Sequence, residues 1–244
     1  MHGAEMSELA AVYHQEGWIG PFPLLTQCER EKLSSDFDAV AARFAFPRKN
    51  WNTFSSEASV SIWYKSFHWS VESFNALVQR PEIVERVRGI LGPKILAWGA
   101  TVIEREARSV HPWHVDIEHS KSPGVSVHIA LSGVTSDSSL NILPGSHLKP
   151  MSKVSQRRLA RKDGVGGVPL PFKDGEFCIL DGALWHGSHN KSSHMRRSIL
   201  LQYSTPDYIP AIPLSWGAEP NWHTSSAPSL LLEPNADSVW MYSP

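Results

Sequence analysis

The chain has 244 residues, of which 23 are basic and 24 acidic, so its formal net charge is −1. This balance gives no electrostatic reason to expect a nucleic acid or a membrane surface as a partner. The two cysteines, Cys28 and Cys178, have no C-x-x-C spacing, and neither a secretory signal nor an apolar stretch of about 18 residues occurs. We therefore expect a cytoplasmic globular protein, with one domain because no repeat or linker divides the chain.

The first third of the chain has mostly helical patterns. Thr26 and Glu29 form a capping box, T-x-x-E, at the start of one helix. Pro81 lies in the first turn of another helix, which Gly92-Pro93 ends. Apolar residues at helical spacing predict helices over 7–15, 26–44, 70–79 and 81–91, with a short strand and turn over 21–25.

From residue 94 onward the pattern changes to short apolar runs separated by turn residues. The runs cover 95–103, 125–131, 140–143, 177–180 and 198–203. Helices followed by many short strands predict a mainly β fold with flanking helices, a double-stranded β-helix or cupin-like jelly roll. We expect a helical part over about 1–93, a jelly-roll core over about 94–206 and an irregular C-terminal wrap over 207–244.

Three residues of this core have the pattern of a metal site. His114 and Asp116 form an H-x-D step, and His186 follows a later strand. Because successive side chains of a strand alternate between its faces, His114 and Asp116 point the same way and can bind one ion. Two imidazoles and one carboxylate are the ligands of a mononuclear non-haem Fe(II) site, whose other positions are open to a co-substrate and O₂. The alternative is a chance H-x-D step in a structural role.

An arginine at the start of the last predicted strand adds to this pattern. An open Fe(II) site needs a bidentate oxoacid to complete its coordination, and a dicarboxylate bound this way needs a cation at its far end. Arginine grips a carboxylate through two parallel hydrogen bonds. Arg196 and Arg197 compete for this role, because strand alternation allows only one of them to point inward. We favour Arg197, whose face is shared by Ile199, Leu201 and Tyr203.

These residues belong to a longer series of motifs. The H-x-D step is followed by N-I-L-P-G-S-H at 141–147, H-G-S-H-N-K-S at 186–192 and R-R at 196–197. Near the N-terminus, Y-H-Q-E-G-W at 13–18 precedes L-L at 24–25. In their order and separations these motifs resemble the phytanoyl-CoA dioxygenase family of Fe(II)- and 2-oxoglutarate-dependent oxygenases. The resemblance covers the chain from about residue 94 to 204.

The resemblance implies a role for each matching residue. The implied iron ligands, which are also the catalytic centre, are His114, Asp116 and His186. Arg197 stands at the family's spacing and becomes the partner of the C5 carboxylate of 2-oxoglutarate, and Ser188 adds a hydrogen bond near it. His128 lies on the strand expected to line the co-substrate pocket, at a position where many relatives carry tryptophan, and its role stays open.

Other polar residues near these motifs have simpler interpretations. Glu118 shares the strand parity of the two ligands, but we expect the strand to have ended before it. His111 and His119 have the wrong parity and are expected at the surface or rim. His189 and His194 lie in a polar turn and are expected to meet solvent.

The ten tryptophans either fill the core or line a wide pocket for a bulky substrate. Those near segments that bear on the proposed site are Trp51, Trp63, Trp69, Trp98, Trp113 and Trp185. The aromatic-rich stretches 51–69 and 207–222 flank the predicted core and are the candidate lids.

The implied activity is that of an oxidoreductase, a dioxygenase that hydroxylates a small molecule, with a specialised-metabolite intermediate as the expected substrate. Asp116 favours hydroxylation over halogenation, because halogenating relatives lack this carboxylate, while desaturation, epoxidation and cyclisation stay open. Two other functions compete: a cupin-like Zn²⁺ or Mn²⁺ hydrolase or isomerase, and a non-catalytic ligand-binding jelly roll. We expect no nucleic-acid or membrane partner, and either a monomer or a homodimer.

Overall fold

The computed structural model describes residues 2–43, 67–117, 124–149, 151–161, 166–207, 229–235 and 237–241. The helices are α1 (His2–Glu16), α2 (Gln27–Arg43), α3 (Phe67–Ser70), α4 (Glu72–Val78), α5 (Pro81–Leu91) and α6 (Lys153–Ala160), with a 3₁₀ turn at Ser146–Leu148. The strands are β1 (Trp18–Pro23), β2 (Ile95–Arg105), β3 (Val110–His114), β4 (Gly124–Ser132), β5 (Leu140–Ile142), β6 (Val168–Pro169), β7 (Glu176–Asp181), β8 (His186–His189), β9 (Arg196–Ser204), β10 (Ser229–Leu232) and β11 (Val239–Met241).

The described strands form two antiparallel sheets. The larger sheet has the order β1-β7-β4-β9-β2-β10-β11, and the smaller has the order β3-β8-β5-β6. Sequence neighbours such as β2 and β3 lie in different sheets, as a jelly roll requires. The predicted fold class, a mainly β jelly roll with flanking helices, is confirmed.

The two faces of the larger sheet have different partners. One face carries the alternate apolar residues of β4 and β9, and it packs against α1, α2 and the helices from α3 to α5 in one continuous core. Residues such as Phe37 of α2 and Phe74 of α4 are fully buried there. The opposite face carries polar residues, including His128, Ser198 and Gln202, which are also buried. This second face is the interior of the jelly roll.

α2 and α5 begin and end close to the predicted positions, whereas α1 begins at His2 and not at residue 7, and the helix predicted over 70–79 is divided into α3 and α4. The backbone N–H of Thr26 donates to Glu29 Oε2 at 2.7 Å, and the N–H of Glu29 donates to Thr26 Oγ1 at 3.3 Å, which is the predicted capping box. Pro81 is the first residue of α5, and Gly92 follows its last residue with φ of 97°. A positive φ at this position is one that glycine adopts without strain.

Two pieces of the C-terminal stretch are strands and not irregular chain. β10 pairs with β2, and β11 pairs with β10, so both extend the larger sheet beyond β2. Leu230 and Leu232 of β10 are buried in the core that the helices cover, whereas Leu231 is half-buried. Among the described residues, no helix combines the length and the apolar character needed to cross a membrane.

Candidate metal centre

The three predicted ligands lie together at one end of the smaller sheet. His114 is the last residue of β3 and His186 the first residue of β8, and the two are directly opposite in the strand register. Asp116 Oδ1 lies 3.7 Å from His114 Nε2 and 3.6 Å from His186 Nε2. One ligand atom from each residue falls within 4.8 Å of the others, a spacing that can hold one ion.

Backbone carbonyls orient both imidazoles. His114 Nδ1 lies 2.8 Å from the carbonyl oxygen of Pro112, and His186 Nδ1 lies 3.0 Å from that of Leu184. If each Nδ1–H donates to its carbonyl, each Nε2 keeps a lone pair directed toward Asp116. In most metal-binding histidines, a hydrogen bond from the ring nitrogen that does not bind the metal fixes the tautomer and the ring orientation.

Asp116 is positioned by the residue that follows it. β3 ends at His114, so strand alternation alone does not place the carboxylate. The backbone N–H of Ile117 donates to the carbonyl of Gly182 at 2.9 Å, and Ile117 is 1% exposed. A Cβ on Gly182 would stand 2.4 Å from Ile117 Cδ1. The glycine between β7 and β8 therefore lets the Asp116 loop close onto the site.

The electrostatics of the cluster favour metal binding. Burial, together with the neighbouring His186, lowers the pKa of His114 to about 3, so this imidazole is neutral, as a ligand must be. Burial alone would raise the pKa of Asp116, but the surrounding imidazoles of His186, His128 and His114 hold it well below its usual range. Asp116 Oδ2 is buried without a hydrogen bond. An ionised, buried carboxylate oxygen without a hydrogen bond is available to bind a cation.

His128 and Ser188 lie on the inner side of this cluster. His128 Nε2 is 3.7 Å from Asp116 Oδ2, longer than a hydrogen bond, and the two side chains are 4% exposed. Ser188 Oγ lies on β8 and accepts a 3.4 Å hydrogen bond from Arg196 Nη2. The structure thus brings His128, Ser188 and Arg196 into the interior with the three ligands.

Arg197 lies on the opposite face, and our preference for it as the inward arginine is wrong. Its Nε donates to Glu104 Oε1 at 3.0 Å, and its Nη2 donates to Asp38 Oδ1 at 3.0 Å. Its guanidinium lies 5.0 Å from the centre of the Phe37 ring in α2. The apolar residues that share this face pack against the helices, so the face points away from the jelly-roll interior. Arg196, the alternative, points inward and is 2% exposed.

His111, which its parity predicted at the surface or rim, is partly buried and lies beside the cluster. Its Nε2 is 3.2 Å from His114 Nε2, and the two ring centres are 4.2 Å apart. The register of β3 against β8 shifts between His111 and His114. A β-bulge of this kind places residues three apart on one face. Pro112, inside this edge strand, is the sequence signal for it.

Two further residues of the site were missed. Asn190 Nδ2 donates to the carbonyls of Arg105 and His194, at 3.0 and 2.8 Å, and ties the end of β2 to the loop between β8 and β9. Arg105 lies directly opposite Arg196 in the register of β2 and β9. The predicted strand ended at residue 103, two residues before Arg105, so the sequence did not reveal that Arg105 and Arg196 lie opposite each other.

The remaining predictions are only partly covered by the described residues. Trp113 and Trp185 pack with Val115 in a separate cluster against α6 and do not line the interior. His194 is exposed, as expected, whereas His189 is partly buried. Glu118, His119, Trp51, Trp63 and most of the two candidate lids lie outside the described residues. Within the first lid, Phe67 is buried in the helical core and Trp69 is 44% exposed.

Comparisons with known proteins agree with this geometry. The sequence model of the family described as phytanoyl-CoA dioxygenase (PhyH) matches residues 13–198. A search of curated proteins finds no match.

Several solved structures have a similar fold. HygX from Streptomyces hygroscopicus, with nickel and 2-oxoglutarate bound, has a TM-score of 0.64 and 16% identity, over 82% of this chain and 87% of that chain. CytC3 with Fe(II) and α-ketoglutarate has a TM-score of 0.59 and 19% identity, over 81% and 76%. The non-haem α-ketoglutarate-dependent epimerase SnoN from nogalamycin biosynthesis has a TM-score of 0.61 and 18% identity, over 83% of each chain. At these identities the similarity concerns the fold.

Proposed function

Because the chain belongs to the phytanoyl-CoA dioxygenase family, as its motifs predicted, we propose that it is an Fe(II)- and 2-oxoglutarate-dependent oxygenase that hydroxylates a C–H bond of a small organic substrate. One observation carries the proposal. The His114–Asp116–His186 cluster shares the jelly-roll interior with Arg196, whose guanidinium contacts no carboxylate among the described residues. A candidate metal site and a candidate anion site thus share the jelly-roll interior.

The donor set fits Fe(II). Two neutral imidazoles and one carboxylate bind one side of the ion and leave its other positions to exogenous ligands. His114, Asp116 and His186 would hold the metal. Bound Fe(II) would activate O₂ with electrons from the decarboxylation of 2-oxoglutarate to succinate and CO₂, and one oxygen atom would end as the hydroxyl group of the product.

The protein's own groups would bind the far end of 2-oxoglutarate. Arg196 donates from Nη1 to the carbonyl of Ser138 and from Nη2 to Ser188, contacts that fix the plane of its guanidinium. Its Nε has no partner and is buried. A carboxylate placed against this group would gain charge-assisted hydrogen bonds in a water-poor interior. We therefore propose Arg196, assisted by Ser188, as the partner of the C5 carboxylate, in place of Arg197.

Arg196 also separates this function from the two alternatives. A Zn²⁺ or Mn²⁺ hydrolase with the same triad has no use for a buried guanidinium beside the metal. A ligand-binding jelly roll without catalysis has no use for the triad.

The outcome of the reaction follows from Asp116. Its carboxylate would occupy one of the metal positions, so an exchangeable halide would have no place there, and hydroxylation is the proposed outcome. SnoN is described as an epimerase, and the same site can therefore support other outcomes of hydrogen abstraction. We place the substrate among specialised-metabolite intermediates, in line with the biosynthetic setting of that neighbour.

Anaerobic titration of the protein with Fe(II) and 2-oxoglutarate tests the proposal. The complex should develop the weak visible metal-to-ligand charge-transfer band expected of this family. Asp116→Ala should abolish the band and the O₂-dependent formation of succinate. Asp137→Ala removes a carboxylate from an exposed turn and should leave both unchanged. A wild-type protein that binds Fe(II) but gives no band with 2-oxoglutarate would refute the proposed function.

A further inference from the structure

The interior contains a second arginine that the proposed reaction does not use. Arg105 is the last residue of β2 and stands directly opposite Arg196 of β9. Opposite residues in a sheet point to the same face, with Cβ atoms about 5 Å apart. Arg105 therefore faces the jelly-roll interior beside the metal cluster. The hydrogen bonds from Asn190 to the carbonyls of Arg105 and Glu106 fix the backbone at this point.

Arg105 has no carboxylate partner among the described residues. Its Nη1 donates to the carbonyl of Glu104 at 3.2 Å, and its Nε is buried without a hydrogen bond. Burial lowers the pKa of Arg105 to about 10, and burial together with the charge of Arg105 lowers that of Arg196 to about 9. Arg197, on the opposite face of β9, has two carboxylate partners, Asp38 and Glu104. The fold thus pairs the arginine on its helical face and leaves two inward arginines unpaired.

The two inward arginines lie at different positions across the larger sheet. In the strand order β4-β9-β2, Arg105 on β2 is one strand farther from β4 and His128 than Arg196 on β9. A short turn at residues 106–109 joins β2 to β3, which carries His111 and His114. Arg196 is 2% exposed, whereas Arg105 is half-buried. A 2-oxoglutarate carboxylate bound by Ser188 and Arg196 would leave the part of the interior next to β3 free for another ligand.

The charges of the loaded site lead to the same conclusion. Fe(II), the Asp116 carboxylate and the 2-oxoglutarate dianion together carry one negative charge, which Arg196 neutralises. Arg105 then remains without a carboxylate partner among the described residues, with its Nε buried and without a hydrogen bond, and a bound anion would offset the cost of this partial desolvation. The primary substrate is the component of the reaction that is left to provide it.

We propose that Arg105 binds a carboxylate of the primary substrate, so that the enzyme selects organic acids and holds them on the β3 side of the metal. This inference rests on the proposed function, because it assigns 2-oxoglutarate to Arg196. Arg105 is thereby a specificity-determining residue.

Binding of simple anions to the Fe(II)–2-oxoglutarate complex tests the assignment without turnover. Acetate, the isosteric neutral acetamide and inorganic phosphate are each titrated under anaerobic conditions, with thermal unfolding and the charge-transfer band as readouts. Acetate should stabilise the wild-type complex, and acetamide should not. Stabilisation by phosphate and not by acetate would overturn the choice of a carboxylate.

Variants locate the anion. Arg105→Met should weaken acetate binding about tenfold or more, the effect of losing a charge-assisted hydrogen bond, while Arg105→Lys should retain part of it. Arg108→Gln, which removes a charge from the exposed turn after β2, is the matched control and should bind acetate like the wild type. Arg105→Met should fold at least as stably as the wild type, since it leaves no carboxylate unpaired.

Two results would overturn the inference. Equal acetate binding by the wild type and Arg105→Met would place the anion elsewhere. A large loss of 2-oxoglutarate affinity in Arg105→Met, seen in the charge-transfer titration, would assign Arg105 to the co-substrate. Absence of the band in the wild type would instead refute the proposed function, and the difference in acetate binding between the ligand-free wild type and ligand-free Arg105→Met would still report on Arg105.

Discussion

Replacing Arg196 and Arg197 by methionine, one at a time, separates a ligand-binding arginine from a structural one. Methionine keeps most of the side-chain volume and removes the charge. In the structure, Arg196 contacts Ser188 and a backbone carbonyl, whereas Arg197 contacts Glu104 and Asp38. The two variants should therefore fail in different assays.

The expected magnitudes follow from these contacts. Arg196→Met should lose two charge-assisted hydrogen bonds to 2-oxoglutarate, each worth about 1.5–3 kcal/mol, and so weaken its binding about 100- to 10,000-fold. Arg197→Met leaves the Glu104 carboxylate, whose side chain is 7% exposed, without its partner. An orphaned buried charge of this kind destabilises a fold by about 3–5 kcal/mol, which lowers the midpoint of thermal unfolding by about 10 °C.

The assays are an anaerobic titration of the charge-transfer band with 2-oxoglutarate and thermal unfolding of the metal-free protein. Arg196→Met should unfold near the wild-type temperature and bind 2-oxoglutarate poorly. Arg197→Met should unfold early and, below its transition, bind 2-oxoglutarate normally. The opposite pattern would refute the placement of the two arginines and restore Arg197 as the co-substrate partner.

Three further changes test the supports of the site and of the fold. Asn190→Ala removes the amide that ties the end of β2 to the β8–β9 loop, and chemical unfolding should register a loss of about 1–3 kcal/mol. Gly182→Ala brings a methyl group against Ile117, and Fe(II) affinity, measured by competition with a chelator, should fall while the fold persists. The hydrogen bond from the backbone N–H of Thr26 is the largest cause that lowers the pKa of Glu29 to about 2. The ionised Glu29 carboxylate therefore contributes its full stabilisation of the fold above the unfolded pKa of about 4.3, and this stabilisation is lost as the pH falls toward 2. Over that interval the wild type should lose about 1 kcal/mol more stability than Glu29→Gln, a figure reduced for the solvent exposure of the carboxylate.

The part of the fold that the sequence predicts well is the part in which local signals agree. The T-x-x-E capping box marks the start of α2, and Pro81 and Gly92 bound α5. Apolar runs with turn residues between them predict the strands of the larger sheet. The C-terminal strands β10 and β11 were missed because they are short: three consecutive leucines in β10 do not by themselves distinguish a strand from irregular chain. These strands pair only with each other and with β2. Their positions depend on a long-range partner that no local pattern encodes.

The choice between Arg196 and Arg197 shows where sequence patterns stop being informative. All nine residues of β9 are buried, so polar and apolar side chains do not alternate along it as they do in a strand with one solvent face. Ile199 and its apolar neighbours were assigned to the interior, although the larger core lies on the helical side. The deciding information was the position of Glu104, which lies across the strand pair from Arg197.

His111 was missed for a different reason. Strand parity puts it on the face opposite His114, but a bulge around Pro112 reverses that relation. A proline inside a strand is compatible with an edge position or a bulge, and β3 has both. Two side chains separated by a proline within a predicted strand can therefore lie on the same face even when strand alternation puts them on opposite faces.

The contrast between the two faces of β9 also bears on why the site is built as it is. On the helical face, Arg197 is neutralised within the fold, and its contribution to stability is independent of any ligand. On the interior face, Arg196 and Arg105 repel each other and have no carboxylate partner among the described residues, so the ligand-free protein holds one buried and one half-buried guanidinium without a counter-charge. Binding of anions relieves this repulsion, and by linkage a ligand at 100 times its dissociation constant adds about 2.7 kcal/mol to the stability of the fold. The interior is therefore arranged for the liganded state, and its arginines, unlike Arg197, stabilise the protein only when the acids that they recognise are bound.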